Sequence, residues 1–372
     1  GMDVTTPMDF HPSLAPYVKL VAEGWLSQDI QGDHVLFNYT NQCTYKGFWN
    51  YYTRRCRGIV FDFNTGALAA LPLGKFFNLF ERHEDLPQHL PRDTFIVQEK
   101  VDGSCAILRW VGDVPLLHTR GSFVSEQAGV ATQILHEKYD ISTLPRNITL
   151  VFEVIYPSNR ICVNYGDKKD LFLLAAFDTE SESELSFDEV ENLATTYGFK
   201  MPRMDNFSLD ELIEQQGTIP KDQEGWVLRY SNNHRIKIKG VEYMRYAKLV
   251  SRLSPLAVWE VMIGNTIPEE YLAQYPEELR PELDDISQSL ITRYNQIASE
   301  IDVDYLRLPK QGMDPMPAYR KRVGLFLKNS ISQYGSSLNH PSVMFPKLLG
   351  QKDDVEKYIH KTIKPVGNVV GE

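Results

Sequence analysis

No two of the four cysteines (Cys43, Cys56, Cys105 and Cys162) stand at CxxC spacing. Neither a zinc knuckle nor a disulfide framework is indicated, and a reduced, cytoplasmic protein is the simplest expectation. No apolar run approaches the roughly eighteen residues a bilayer span needs, so no membrane contact is expected. The opening Gly1-Met2-Asp3-Val4-Thr5-Thr6 has neither a basic n-region nor an apolar h-region. That predicts no secretory leader, and the Gly before Met reads as a tag-cleavage scar. None of the 23 glycines is followed by another two positions on, which excludes GxGxxG. GxxxxGK[ST] is missing as well, so no backbone loop of P-loop type cradles phosphates. HExxH is absent and the nine histidines are scattered, leaving a structural zinc or a Ser-His-Asp hydrolase without support. What remains is an ordinary soluble composition, 42% apolar and 24% charged, over 372 residues, enough for two domains.

The net charge of −10 argues against a nucleic-acid partner only until its distribution is followed. Thr179 to Glu224 holds twelve acidic residues against three basic ones, so most of the excess sits there. From Gly225 to Arg252 the sign reverses, with seven basic residues against Glu242 alone. A basic block beside an acidic one can build a local anion site on an acidic protein. Two differently solvated faces would give the same counts.

Strand-like runs punctuated by turns dominate the first 250 residues: Thr94–Glu99, Ala106–Val111, Asn147–Ile155, Leu171–Phe177, Trp226–Tyr230 and Arg235–Lys239. In the third, period two puts Ile148, Leu150, Phe152 and Val154 on one face and Glu153 on the other, with Thr149 and Val151. Helices are predicted near Ser125–Tyr139 and Ser186–Tyr197. The irregular alternation predicts an α+β fold rather than a doubly wound sheet. After about Ser251 the period changes. Leu283, Ile286, Leu290, Tyr294, Ile297 and Ile301 recur at helical spacing, and Tyr319–Tyr334 is a second helical candidate. Prolines break the region into short pieces. The expected organisation is therefore residues 1–250 as one domain and 251–372 as a mostly helical one.

Lys100-Val101-Asp102-Gly103-Ser104 follows the strand that ends at Glu99. A lysine leaving a strand into an Asp-Gly-Ser turn can hold its amine over a cleft. It is nucleophilic only when neutral, and its reference pKa is roughly 10.4. Neighbouring cations oppose its charge and lower that value. Lys237 and Lys239, on one face of Arg235–Lys239 with Ile236 and Ile238 behind, are such cations and could also hold a phosphate. Each piece alone has a bland reading: a surface turn for KVDG, a half-exposed edge strand for the lysine pair.

Their order is what carries weight. Cys56-Arg57-Gly58-Ile59-Val60-Phe61 and Lys75-Phe76-Phe77-Asn78-Leu79 come first, then Lys100-Val-Asp-Gly-Ser, Arg120-Gly-Ser, Phe152-Glu153, Glu224-Gly225 and Lys237-Ile-Lys239. Pro157-Ser-Asn-Arg160-Ile161 extends the series. Together these resemble the ATP-dependent, phage-type RNA ligases of the RNA ligase 1-like family, within the covalent nucleotidyltransferases, over about Tyr39 to Lys248. The resemblance implies an adenylyltransferase domain of antiparallel sheets flanked by helices, followed by a helical C-terminal domain concerned with RNA substrate recognition. It implies that Lys100 carries AMP from ATP as a phosphoramidate, and passes it to an RNA 5′-phosphate that a 3′-hydroxyl then seals. It also implies Glu153 on the ribose hydroxyls, Glu224 on a divalent metal, and Lys237 and Lys239 as catalytic lysines on the α-phosphate. Arg57 and Lys75 would orient the triphosphate, Phe77 would line the nucleotide pocket, and the Glu99 backbone would lie along the adenine edge. Gly103 and Gly225 belong to the nucleotide site through their motifs, and Tyr243 matches an aromatic position after the last one. ATP and Mg2+, with Mn2+ as substitute, are the implied cofactors.

One block departs from the family pattern: Arg120 stands where a lysine usually precedes Gly-Ser, with His118 two residues earlier. Arg keeps the charge but presents a planar fork, so phosphate contact is expected to survive. DNA ligases and capping guanylyltransferases share the KxDG lysine. They normally append an OB barrel with a further basic motif, and no Arg-x-Asp-Lys follows residue 250. A catalytically idle nucleotide- or RNA-binding protein is the rival of another class. The expected partners are RNA 5′-phosphate and 3′-hydroxyl ends, nicked transfer RNA among them, and separate end-healing kinase and phosphatase enzymes. Arg320-Lys321-Arg322 with Lys328 is a weaker candidate for tracking an RNA backbone.

Overall fold

The structure is a computed structural model that describes residues 9–92, 94–157, 163–251, 253–273, 275, 279–308, 321, 324–326, 341–367 and 371. The chain separates into two compact units, 1–251 with 273–281, and 252–272 with 282–372.

Three sheets build the first unit. The first runs β1 (Leu26–Gln31), β2 (His34–Tyr39), β3 (Arg57–Asp62), β4 (Leu68–Ala70), each antiparallel to the next. Helix α1 (Ala15–Ala22) precedes it, and the short helices α2 (Asn41–Lys46) and α3 (Tyr51–Arg55) fill the β2–β3 connection. Both short helices are fixed by capping: Thr40 accepts from Cys43 N–H, and Asn50 forms a reciprocal capping box with Thr53.

The second sheet is ordered β11-β10-β9-β7-β8, from β7 (Ser104–Val111), β8 (Val114–His118), β9 (Ile148–Ile155), β10 (Asp170–Asp178) and β11 (Ser183–Glu184). Its two faces feed two cores. Leu150, Phe152 and Val154 pack with Ile134 and Leu135 of α4 (Glu126–Lys138) and Val190 of α5 (Phe187–Tyr197). Val151, Ala175 and Phe177 turn instead toward Tyr17, Phe37 and Phe61 beneath the first sheet. The period-two reading of Ile148–Ile155 holds, and the serines before both helices cap them.

The third sheet is ordered β12-β6-β13-β14-β5, from β5 (Phe77–Asn78), β6 (Phe95–Glu99), β12 (Met204–Asp205), β13 (Gly225–Tyr230) and β14 (Arg235–Lys239). Only β5 runs parallel to its neighbour, pairing Phe77 with Ile236 and Asn78 with Lys237. Helix α6 (Leu209–Gln215) contributes Leu212 to the core beneath, which holds Leu228, Ile236 and Ile238. Strand β14 is flanked on both sides and buried along its length, so the lysine pair does not lie on an edge strand. Helix α7 (Val241–Ser251) follows directly.

The named elements of the second unit are helices among the described residues. They are α8 (Pro255–Val261), α9 (Glu269–Leu272), most of α10 (Arg280–Leu306), and the segments Pro341–Leu348 and Lys352–Thr362. In α10 Leu283, Leu290, Tyr294, Ile297 and Ile301 are buried, as the spacing predicts. Trp259 stacks on His360 at 4.2 Å and donates to its carbonyl, tying α8 to the last helix. Most of the Tyr319–Tyr334 candidate, with Arg320, Arg322 and Lys328, lies outside the described residues, as do Arg160 and Ile161. No described helix is long and apolar enough to cross a membrane.

Candidate active site

Lys100 to Gly103 is the passage from β6 in the third sheet to β7 in the second. The Lys100 N–H donates to Gly225 O at 2.9 Å, which locks the turn against the start of β13. Asp102 is buried and held at three points. Its Oδ1 accepts from the Tyr243 hydroxyl at 3.0 Å, its Oδ2 from Val163 N–H at 2.7 Å, and its own N–H donates to the Tyr165 oxygen at 2.8 Å. Two glycines allow the close approach. A Cβ on Gly103 would lie 2.3 Å from Val154 O, and one on Gly225, whose φ is +141°, would lie 2.0 Å from Ile238 O. A side chain at Gly103 would push against β9, which carries Glu153, and one at Gly225 would drive β13 from β14, which carries Lys237 and Lys239.

Glu224 is where the cations meet. Its Oε1 lies 3.2 Å from Lys100 Nζ and 3.0 Å from Lys239 Nζ, and both Glu224 and Lys239 are buried. Lys237, 1% exposed, points along the same strand face with its ammonium 5.7 Å from the Phe76 ring centre. The Lys239 ammonium lies 6.0 Å from the ring centre of Tyr243. The sequence reading set Lys237 and Lys239 against Lys100 as two opposing cations. The geometry adds a carboxylate shared between Lys100 and Lys239. Glu153, paired with Cys105 across β9 and β7, faces this group. Burial raises its carboxyl to about 7, Glu224 and Asp102 add to the rise, and Lys100 and Arg57 oppose it.

A second cluster of cations surrounds one phenol. Arg120 Nη1 donates to the Tyr39 oxygen at 3.0 Å, and the Arg57 and Lys75 head groups lie 6.0 Å and 5.8 Å from the Tyr39 ring centre. Burial favours the neutral phenol, yet Arg120, Lys75 and Arg57, with Arg280, pull Tyr39 down to about 6. Lys75 is lowered by burial, with Arg57 and Arg120 adding to that, while Tyr39 opposes it. Phe77 is buried under the same group, with the Lys75 ammonium 5.3 Å and the Arg82 guanidinium 4.5 Å from its ring centre. The Cys105 thiol, raised by burial to about 11, feels Glu153, Arg57, Arg120 and Lys100, which ties the two clusters into one site.

The predicted residues Arg57, Lys75, Phe77, Lys100, Gly103, Arg120, Glu153, Glu224, Gly225, Lys237 and Lys239 therefore converge. Glu99 borders them, its N–H donating to Arg203 O at 2.8 Å and its carboxylate pairing with Arg203 at 3.3 Å. Sequence reasoning missed Tyr39, Trp49, Tyr165 and the clamp on Asp102. Tyr39 alternates with Val35 and Phe37, so on β2 it reads as one more core aromatic.

The RNA ligase family profile matches residues 55–244, half of the chain and all of these motifs. The chain belongs to the RNA ligase family. A candidate RNA ligase of Thermovibrio ammonificans is 29% identical over 205 residues, covering 52% of this chain and 52% of that protein. A candidate bifunctional polynucleotide kinase/RNA ligase of Autographa californica nuclear polyhedrosis virus is 26% identical over 249 residues, 59% of this chain and 35% of that protein. The chain thus spans about half or less of the curated relatives it matches. Among solved structures, a candidate ATP-dependent DNA ligase from Aquifex aeolicus overlaps 87% of this RNA ligase family member and 81% of its own chain, with TM-score 0.47 and 15% identity. A Naegleria gruberi RNA ligase solved with ATP and Mn overlaps 41% and 51%, with TM-score 0.34 and 16% identity.

Proposed function

We propose that this protein is an ATP-dependent RNA ligase that joins a 5′-phosphate to a 3′-hydroxyl through a lysyl-AMP at Lys100 and an RNA-adenylate. Repair of broken RNA, nicked transfer RNA included, is the role this chemistry suits. The observation that carries the reading is the shared Glu224 oxygen, 3.2 Å from Lys100 Nζ and 3.0 Å from Lys239 Nζ, beside the Arg57–Lys75–Arg120 cluster.

The Lys100 amine must lose a proton before it attacks, and Glu224 is within reach of that proton. The α-phosphorus then gains a bond to Nζ and loses its bond to the bridging oxygen, and pyrophosphate departs. Arg57, Lys75 and Arg120 meet the charge that leaves, while Lys237 and Lys239 meet the charge on the α-phosphate. A 5′-phosphate oxygen of RNA next attacks the same phosphorus, and the Lys100 nitrogen leaves and regains its proton. Finally a 3′-hydroxyl oxygen gives up its proton to solvent and bonds to the activated 5′-phosphorus, whose bond to the bridging oxygen breaks and releases AMP. Throughout, the side chains position groups and stabilise charge rather than form further bonds.

Mg2+ suits this site. No group of three His, Cys, Asp or Glu side chains assembles among the described residues. Mg2+ commonly uses one or two carboxylates, with substrate phosphates and water completing its shell. Glu224 would hold it, and when bound the ion supplies positive charge at the α-phosphate.

The test is covalent capture from α-labelled ATP and Mg2+, after pyrophosphate has stripped any adenylate acquired in the expression host. One adenylate is expected on the wild type, with none on Lys100→Ala and none from GTP. Transfer to 5′-phosphorylated RNA but not DNA is expected next. Label from GTP would point to capping chemistry, and no covalent nucleotide at all would leave a nucleotide-binding protein.

A further inference from the structure

From His34 to Phe61 the chain contains no Asp or Glu, although it is acidic overall. The same span is crowded with aromatics. Among the described residues, the exposed aromatic side chains among the large apolar residues are Tyr45, Phe48, Tyr51 and Phe80. Three lie on α2, α3 and the turn between them, and the fourth follows β5. This wall backs directly onto the phosphate-side cluster. Trp49 makes edge contacts with Tyr39 and Phe77, the Arg54 guanidinium lies 5.3 Å from the Phe77 ring centre, and Lys75 N–H donates to Arg54 O.

Phe80 adds an independent sign. Its φ is +72° and it is 55% exposed. A bulky aromatic side chain is disfavoured in the left-handed region, and an exposed one does not recover the cost by packing. The adjacent Leu79 N–H donates to Lys237 O, so this strained turn rests on the lysine strand itself. Cations border both parts of the wall. Lys46 lies over Tyr45, while Arg54 and Arg82 share Glu84 at 3.8 Å and 2.9 Å. Arg55 pairs with Glu182 at 2.5 Å. The Arg54 and Arg82 pairs with the half-exposed Glu84 hold weakly, so a phosphate can take those two arginines over at little cost, whereas Arg55 is largely covered.

We propose that α2, α3 and the Phe80–Arg82 turn form the docking surface for a single-stranded RNA end, its bases stacked on Tyr45, Tyr51 and Phe80 and its phosphates on Lys46, Arg54 and Arg82. The assignment rests on the ligase reading for the identity of the strand. Interleaved aromatics and cations are how proteins grip single strands without reading sequence, because every base offers a stacking face. The placement brings that strand to the rim of the site in which Lys100 would be adenylylated.

The experiment measures two things on the full chain: the anisotropy of a fluorescent, 5′-phosphorylated single-stranded oligoribonucleotide, and lysyl-adenylate yield from labelled ATP. Tyr51→Ala, Phe80→Gly and their combination are compared with wild type and with Val114→Ala, an exposed apolar control on β8. Each surface change is expected to weaken RNA binding by on the order of fivefold or more, with adenylate yield unchanged. Phe80→Gly is expected to melt no lower than wild type, since glycine relieves the strain, so its loss of binding would not come from misfolding. Wild-type affinity in the combined variant, or no RNA binding by the wild type, overturns the surface whatever the adenylate result. Loss of binding without any wild-type adenylate upholds the surface and removes the ligase reading.

Discussion

Tyr39 shows what one residue's position can conceal. Its strand, β2, was not among the runs read from the sequence, and its surroundings could not be read, because Arg57, Lys75 and Arg120 come from three segments that only the fold assembles. The KVDG lysine and the carboxylates were readable because their motifs are local. Asp102 was readable as part of its turn and Tyr243 through the resemblance, but the hydrogen bond between them was not, since 141 residues separate them. The Tyr39 environment predicts a pH effect with a defined sign. Burial opposes ionisation, but Arg120, Lys75, Arg57 and Arg280 outweigh it and hold the phenol at about 6 against an ordinary 10.0. An acid lowered on folding contributes stability that is complete above the unfolded value and lost as pH falls through the folded one. Wild type should therefore gain thermal stability over Tyr39→Phe as pH rises from about 6 toward about 10. Near neutral pH it should show a tyrosinate band in the near ultraviolet that the variant lacks. A triphosphate beside the same cations would supply the negative charge instead, so ATP should suppress that band. A flat melting difference across the range, with no band, would mean the phenol stays neutral.

Elements were more legible than their neighbours. Period two located β9 and β14, because that signal comes from nearby residues, and the helices expected near Ser125–Tyr139 and Ser186–Tyr197 lie where α4 and α5 form behind their serine caps. The partnership of β5 with β14 was hidden: two residues make too short a strand to announce itself, and its parallel neighbour is far along the chain. Also invisible was the link between the second and third sheets. Glu184 of β11 reaches Arg229 of β13 at 3.2 Å and Arg235 of β14 at 2.5 Å, with all three side chains 8% exposed. Glu184→Gln would leave two buried guanidinium groups without their carboxylate. Removing one partner of a buried ion pair costs about 3–5 kcal/mol. Denaturant unfolding of the variant should show a loss of that order with an unchanged slope. Adenylate yield should fall as well, because Lys100 leaves the third sheet while Glu153 stands on the second. A loss of stability below about 1 kcal/mol would mean that the arginines find other acceptors, as replacement of a surface pair would.

At the scale of the whole molecule the question is how a chain of net charge −10 would attract the RNA proposed above. The answer lies in segregation. The acids concentrate between Thr179 and Glu224, while His34 to Phe61 has none and Gly225 to Arg252 is basic. The acidic and basic blocks were legible in the sequence, whereas the acid-free span from His34 to Phe61 takes on meaning only from the exposure of Tyr45, Phe48 and Tyr51. The ATP and RNA of the proposed reaction would then meet different physics. Lys237, Lys239 and Glu224 are buried, so charges among them are screened little by salt, whereas Lys46, Arg54 and Arg82 stand at the surface within reach of counterions. RNA affinity should fall as salt rises, with a log–log slope of about −0.7 for each phosphate contacted on a single strand. Engagement of Lys46, Arg54 and Arg82 gives about −2 by that rule. Lys46→Ala should make the slope shallower by roughly one contact, and lysyl-adenylate formation should vary far less over the same salt range. A slope near zero would leave stacking as the whole of the attraction, while a slope unchanged by Lys46→Ala would move the phosphate track elsewhere on the molecule.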